Sequence, residues 1–169
     1  MTKSSLAAMF VLAMLGTAEA GGQEGSIGVG AEYGLRLTGT SLGFASMNYD
    51  AGAFHVGGFL AFFDPGEGDS SFGVGGRFYY HVHSTSMADF SVGGAVGLLS
   101  TPGVGGTPPG NDDRTSELYI EPGIQVRVFV ASNVALSFSA GLSLGVVDAD
   151  GVGIGGQTTG SAGFHYYFF

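Results

Sequence analysis

Ser26 to Leu37 reads SIGVGAEYGLRL, with an apolar residue at every second position. Ile27, Val29, Ala31, Tyr33, Leu35 and Leu37 share one face, and Ser26, Gly28, Gly30, Glu32, Gly34 and Arg36 share the other. Only the two-residue period of a β-strand separates the two sets. The same division recurs in Ala53 to Phe63 (Phe54, Val56, Leu60, Phe62), Phe72 to His83 (Phe72, Val74, Phe78, Tyr80, Val82) and Ala88 to Leu99 (Phe90, Val92, Val96, Leu98). It returns in Glu117 to Val130 (Leu118, Ile120, Ile124, Val126, Val128, Val130), Val134 to Val147 (Leu136, Phe138, Leu142, Leu144) and Gly160 to Phe169 (Phe164, Tyr166, Phe168). Leu42 to Asp50 offers no clean choice of face. Counting it, the pattern predicts an all-β chain of eight strands, each of roughly 9 to 14 residues, the length a tilted strand needs to cross a bilayer.

The links support the same architecture. Asp50 to Gly52, His83 to Ser86 and Ala131 to Asn133 are tight turns, whereas Asp64 to Ser71, Ser100 to Ser116 and Asp148 to Gln157 are longer and rich in Gly, Asp and Pro. Short turns at one end and longer loops at the other are the habit of an up-and-down transmembrane barrel. Gly39 to Ser41 is short and departs from it. Thr101 to Gly110, inside the longest loop, is low in complexity.

Composition decides which face looks outward. The chain has 169 residues, enough for one closed barrel, with 33 Gly, 11% charged residues, no Cys, no Trp and a mean hydropathy of +0.32. The less apolar face is mostly Gly, Ser and Ala. A water-facing surface would carry far more Lys, Glu and Asp, whereas small residues suit the crowded interior of an eight-stranded barrel. The apolar face therefore points to lipid, and a lipocalin-like soluble binding barrel in the periplasm is the alternative. No apolar run of spanning-helix length exists outside the N-terminus, which disfavours a helical membrane protein.

Met1 to Ala20 has the form of a secretory signal peptide: Lys3, an apolar core from Leu6 to Leu15, and Ala18-Glu19-Ala20 before Gly21. Residues 21–169 are then the barrel domain. Removing one Lys and one Glu with the leader leaves the formal charge at −9. Arg36, Arg77, Arg114 and Arg127 are the cations that remain, too few for a nucleic-acid surface. Without cysteine there are no disulfides or thiolate metal sites, and a lipid-anchored lipoprotein is excluded.

The end of the chain, Ser161-Ala-Gly163-Phe-His-Tyr166-Tyr-Phe168-Phe169, resembles the C-terminal signal read by the barrel-assembly machinery of outer membranes, with Gly163, Tyr166, Phe168 and Phe169 at its marked positions. In length, strand number and loop alternation the chain is similar to the OmpA/OmpX-like family of small outer-membrane barrels. That resemblance implies a Gram-negative outer-membrane location, with membrane lipid, lipopolysaccharide and the assembly machinery as partners and no cofactor. No peptidoglycan-binding domain of the OmpA type is expected after the barrel.

The inward face carries Glu32, Arg36, Arg77, Asp89, Glu117, Glu121, Gln125 and Arg127, for which a salt-bridge and hydrogen-bond network is predicted, since unpaired buried charges are costly. His55, His81 and Asp89 fall inward near the turn ends of three adjacent strands, with His165 at a similar depth. Such a cluster is either hydrogen-bonded interior or a metal site. Asp64, Glu67 and Asp69 in one loop, and Asp148 and Asp150 in another, are weak candidates for Ca²⁺ or Mg²⁺. Gly73-Val-Gly75-Gly76 lies within a strand, so a phosphate-loop reading fails. Pro122 removes a ladder donor, and a bulge is expected at Pro122-Gly123. The function expected is non-enzymatic, in envelope integrity or surface interaction through the loops. A narrow porin-like channel is the alternative, and a lipid enzyme with a histidine at the lipid-facing wall is a third reading.

Overall fold

The computed structural model describes residues 23–34, 43–66, 70–102, 114–147, 152–154 and 160–168. The signal-peptide reading and Arg36, Glu67, Asp69, Asp148, Asp150 and Phe169 lie outside them. Nine strands run in chain order: β1 (Ile27–Gly34), β2 (Gly43–Asp50), β3 (Phe54–Phe63), β4 (Ser71–Ser84), β5 (Ala88–Pro102), β6 (Arg114–Ala131), β7 (Val134–Val147), β8 (Val152–Ile154) and β9 (Ser161–Phe168). Each of β1 to β7 pairs antiparallel with the next, and β9 pairs with both β7 and β1. The sheet thereby closes on itself. No helix among the described residues is long and apolar enough to cross a membrane, which says nothing about strands.

The closed wall has eight staves, because β8 and β9 share one side of β7: Leu142 faces Ile154, and Phe138 faces Ala162. β8 lies inside the stretch expected to be loop, a strand of three residues being too short to display a period. The links at residues 51–53, 85–87 and 132–133 lie at one end of the barrel, the turn end, and the opposite end is the loop end.

Alternation holds along the strands, with the apolar set outside. β2, ambiguous from its sequence, alternates strictly: Phe44, Ser46, Asn48 and Asp50 are buried, while Ala45, Met47 and Tyr49 are exposed. Its inner face mixes an aromatic with polar residues, so hydropathy alone does not separate the faces. Pro122 causes no bulge. The β6 ladder runs through it in register, Gly93 facing Gly123 and Gly94 facing Pro122, and on the other side omits only the bridges of Glu121 and Pro122 between Ile120–Leu144 and Gly123–Gly141. Dropping two bridges accommodates the missing N–H without an added residue. Register shifts occur instead between His81 and His83, Leu118 and Tyr119, and Phe129 and Ala131.

Two apolar clusters wedge the interior. Phe44, Phe59, Ala61 and Ala95 lie toward the loop end, with the Phe44 and Phe59 rings edge to face at 5.5 Å. Phe129, Ala135 and Tyr167 lie toward the turn end. Glycine is sterically required at Gly163, where a Cβ would stand 2.6 Å from Glu32 Cγ and 2.7 Å from Ser137 Oγ. Phe164, Tyr166 and Phe168 of β9 face outward, and His165 and Tyr167 face in.

Candidate functional site: the polar interior

Arg127, projecting inward from β6, organises the turn end. Its Nη2 donates to Asp50 Oδ2 and to Asp89 Oδ2, both at 2.7 Å, and its Nη1 donates to Tyr167 Oη at 3.0 Å. The three charged side chains come from β2, β5 and β6 and are almost wholly shielded from solvent. Burial of such ions is tolerable only when each is paired and hydrogen-bonded. Asp50 Oδ1 also accepts from the Gly52 amide at 2.9 Å, so one carboxylate holds both the turn and the guanidinium.

His55 of β3 and His81 of β4 join this group. His81 Nδ1 lies 2.7 Å from the Gly52 carbonyl oxygen, and its Nε2 lies 3.0 Å from Arg127 Nη2 and 2.8 Å from His55 Nδ1. A carbonyl only accepts and a guanidinium only donates. The Gly52 carbonyl therefore takes the proton of His81 Nδ1, and the single lone pair of His81 Nε2 accepts from His55 Nδ1–H, both Nη2 hydrogens of Arg127 being given to Asp50 and Asp89. His55 is fully buried and its ring stacks on Tyr79 with centroids 5.5 Å apart.

A second group sits nearer the loop end. Glu32 Oε2 accepts from Arg77 Nη1 at 2.8 Å and from Ser161 Oγ at 3.0 Å, and Glu32 Oε1 is 3.2 Å from His165 Nε2. Ser46 Oγ lies 2.7 Å from the same histidine nitrogen. The Arg77 guanidinium rests over the Phe59 ring at 5.0 Å. Glu121, wholly buried, accepts from Ser143 Oγ at 2.6 Å.

The structure thus brings Glu32 and Arg77 together, and Asp89 with Arg127, and it buries Glu121 and Gln125. Glu117 stands apart, half-buried near the loop end and bonded by Tyr119 Oη at 2.6 Å. His55 and His81 meet as expected, but His165 does not join them. It pairs with Ser46, two inward positions further from the turn than Asp50, because strand parity fixes a side chain's face and not its height. Three contributors went unread in the sequence: Asp50, taken for a turn residue, and Ser46 and Asn48 beside it. Their signal is the polar face Ser46-Asn48-Asp50, once Phe44 is allowed to be inside.

Among the described residues no group of three or more His, Asp or Glu side chains is arranged to hold a metal ion, and Arg127 takes the place where one would sit between Asp50 and Asp89. Asp64 is exposed and closes its own turn by accepting from the Gly66 amide at 2.8 Å. Several buried interior atoms lack a hydrogen-bond partner, including Arg77 Nε and Nη2, Tyr79 Oη and His165 Nδ1. A polar group left dry costs about 1–3 kcal/mol, and internal water is the usual remedy.

No protein-family model and no curated protein matches the chain. Among solved structures it is similar to the N-terminal β-barrel domain of Pseudomonas aeruginosa OprF, at 12% identity and a TM-score of 0.66, over 86% of this chain and 98% of that one. The fold is that of the OprF barrel. Ail, the attachment invasion locus protein of Yersinia pestis, also matches, at 14% identity and a TM-score of 0.48, over 86% of this chain and 100% of that one. The expected likeness to small outer-membrane barrels holds at the level of fold.

Proposed function

We propose that the chain is an integral, non-enzymatic barrel of the Gram-negative outer membrane that serves envelope integrity or surface interaction through its external loops. The observation that carries this reading is the inverted distribution of polarity. Charged and hydroxyl side chains fill the inside, while Leu60, Phe62, Phe78, Val96, Ile124 and Phe138 stand exposed on the outside. Such a continuous apolar surface is costly in water and natural in lipid. Aromatic residues crowd both ends of the wall, Tyr33, Phe62 and Phe63 toward the loops and Tyr49, Tyr80 and Phe168 toward the turns. Phe54 and Phe62 are roughly 26 Å apart along β3 at about 3.3 Å per residue. A tilt of about 40° reduces that to about 20 Å, comparable with the apolar band of roughly 25 Å in such barrels.

The interior gives no support to an ion channel, since Arg127, Tyr79, Tyr167 and Phe129 occupy it fully buried. His81 and His165 point inward, away from the lipid wall where a lipid enzyme would act. Expression of the whole chain in a Gram-negative host, followed by outer-membrane isolation and electrophoresis of boiled and unboiled samples, tests the proposal. A heat-modifiable outer-membrane band beginning at Gly21 is expected. A soluble periplasmic product with heat-independent mobility overturns it in favour of a soluble binding barrel.

A further inference from the structure

On the outward face of the wall each stave carries one small or compact residue at a matching position. Ala31 of β1 faces Ala45 of β2, Gly58 of β3 faces Gly76 of β4, and Gly94 of β5 faces Pro122 of β6. Between these pairs the row steps two residues toward the turn end, since Gly58 stands opposite Met47 and Gly94 opposite Phe78. It continues through Ala140 of β7, opposite Ile124, and Ala162 of β9, opposite Phe138, and Phe164 opposite Ala31 brings it back to its start by the same step. Strands of a closed barrel tilt and slip past one another, and a row that returns to its own first residue runs level round the axis. Gly58 is four residues from both Phe54 and Phe62, and Gly76 four from both Phe72 and Tyr80, so the row lies midway between the aromatic ends. Larger outward side chains stand on either side of it, Val56 and Leu60 beside Gly58, and Val74 and Phe78 beside Gly76. The row is thus the floor of a shallow furrow. Two stretches of it are open depressions of about 490 Å³ each, one over Ala45 and Gly58 and the other over Gly76, Gly94 and Pro122.

We propose that this furrow seats the ends of phospholipid acyl chains where the two leaflets meet, so that the barrel adapts to chain length at its waist. The proposal rests on the membrane reading above. The wall itself does not ask for glycine at two of the positions. A Cβ on Gly58 or Gly76 would meet only a backbone oxygen, at 3.6 Å, which is ordinary contact, and neither residue has a positive φ. Glycine inside a strand weakens it and often marks a place where something else approaches closely. Gly94 differs, because a Cβ there would stand 2.5 Å from the Glu121 carbonyl oxygen, so the wall needs that glycine. The level course of the row selects the occupant. A second copy of the chain, or any other protein, would cover one sector and give no reason for small residues on the opposite staves, whereas the bilayer midplane meets all eight. The lining agrees: the floor and flanks of both depressions are apolar, with nothing to orient a headgroup. Chains too long for the wall otherwise force tilt or local thickening of the bilayer. Chain ends that overlap in the furrow avoid both.

The test uses the whole processed protein, folded into phosphatidylcholine vesicles with a trace of phosphatidylcholine spin-labelled at carbon 5 or carbon 16 of one chain. Electron paramagnetic resonance reads the motionally restricted fraction of each label. The variant Ala45→Leu/Gly58→Leu/Gly76→Leu fills the furrow on three adjacent staves of the eight. Its restricted fraction at carbon 16 is expected to fall by about a third relative to wild type, in proportion to the lipid-facing staves filled, with carbon 5 unchanged. An unchanged carbon 16 signal overturns the proposal, as does an equal loss at both carbons. A cross-linked pair of barrels that disappears when the furrow is filled also overturns it, in favour of a second copy as occupant. Heat-modifiable mobility is read on the same vesicles. If the wild type fails to insert, the membrane reading falls; if it inserts and the carbon 16 signal ignores the filling, only the furrow reading falls. Should the triple variant lose its heat-modifiable form, Gly76→Val takes its place, with a smaller fall expected at carbon 16 alone.

Discussion

Among the described residues two arginines, Arg77 and Arg127, lie buried inside the barrel, and they are held in opposite ways. Arg127, near the turn end, divides its donors among Asp50, Asp89 and Tyr167, so one cation ties β2, β5 and β9 to its own strand, β6. Arg77, nearer the loop end, makes one ion pair through Nη1, leaves Nε and Nη2 without a protein partner and lies against Phe59. The contrast teaches that the turn end is a clamp and the Arg77 pair a looser junction, although both arginines are buried.

Substitution tests that ranking. Arg127→Met leaves two carboxylates buried without a cation, and a loss of about 3–5 kcal/mol is expected, as for a broken buried ion pair, read from urea unfolding of the vesicle-inserted barrel. Arg77→Met strands only Glu32, which keeps Ser161 and the contact with His165, and about 1–3 kcal/mol is expected from one under-satisfied group. If Arg77→Met proves the more damaging, the clamp is at the wrong end. Adding Glu32→Gln to Arg77→Met sharpens the point: with both charges gone, the double variant is expected to recover most of the loss and to lie within about 1 kcal/mol of wild type. Asp64→Asn is the smallest change. Asparagine closes the same turn through its side-chain oxygen, so the unfolding midpoint is expected to move by no more than about 0.5 kcal/mol, and a calcium titration of wild type and variant should give the same midpoint. A calcium-dependent shift confined to the wild type would restore Asp64 as a ligand.

Much of this architecture was legible from residue types alone. The period in Ser26 to Leu37 assigns Ile27, Val29 and Tyr33 to the outside and Glu32 to the inside, as found. Parity likewise delivered Arg77, Asp89, Glu121 and Arg127 to the interior. Height along the barrel axis was not legible, because it depends on how far each strand slides past its neighbour, and so His165 was grouped with the wrong partners. Asp50 escaped for a different reason. An acidic residue before Ala51-Gly52 reads as a turn former, and it is one, yet its second oxygen reaches Arg127. Pro122 shows that a strand can absorb a missing donor by omitting bridges where a bulge was expected.

The seam between β1 and β9 joins the first described strand to the last, Ile27 facing Phe168 and Gly34 facing Ser161. Neighbouring hairpins can form locally, but this pairing has the highest contact order of the ladder and must await the whole chain. Until β9 docks, β1 and β7 each present an open strand edge, the kind of edge that invites pairing with another molecule. Glu32 gains the Ser161 hydroxyl only at that moment. The final eight-residue strand is therefore both the last part of the wall to form and the part that ends the exposure of the rest.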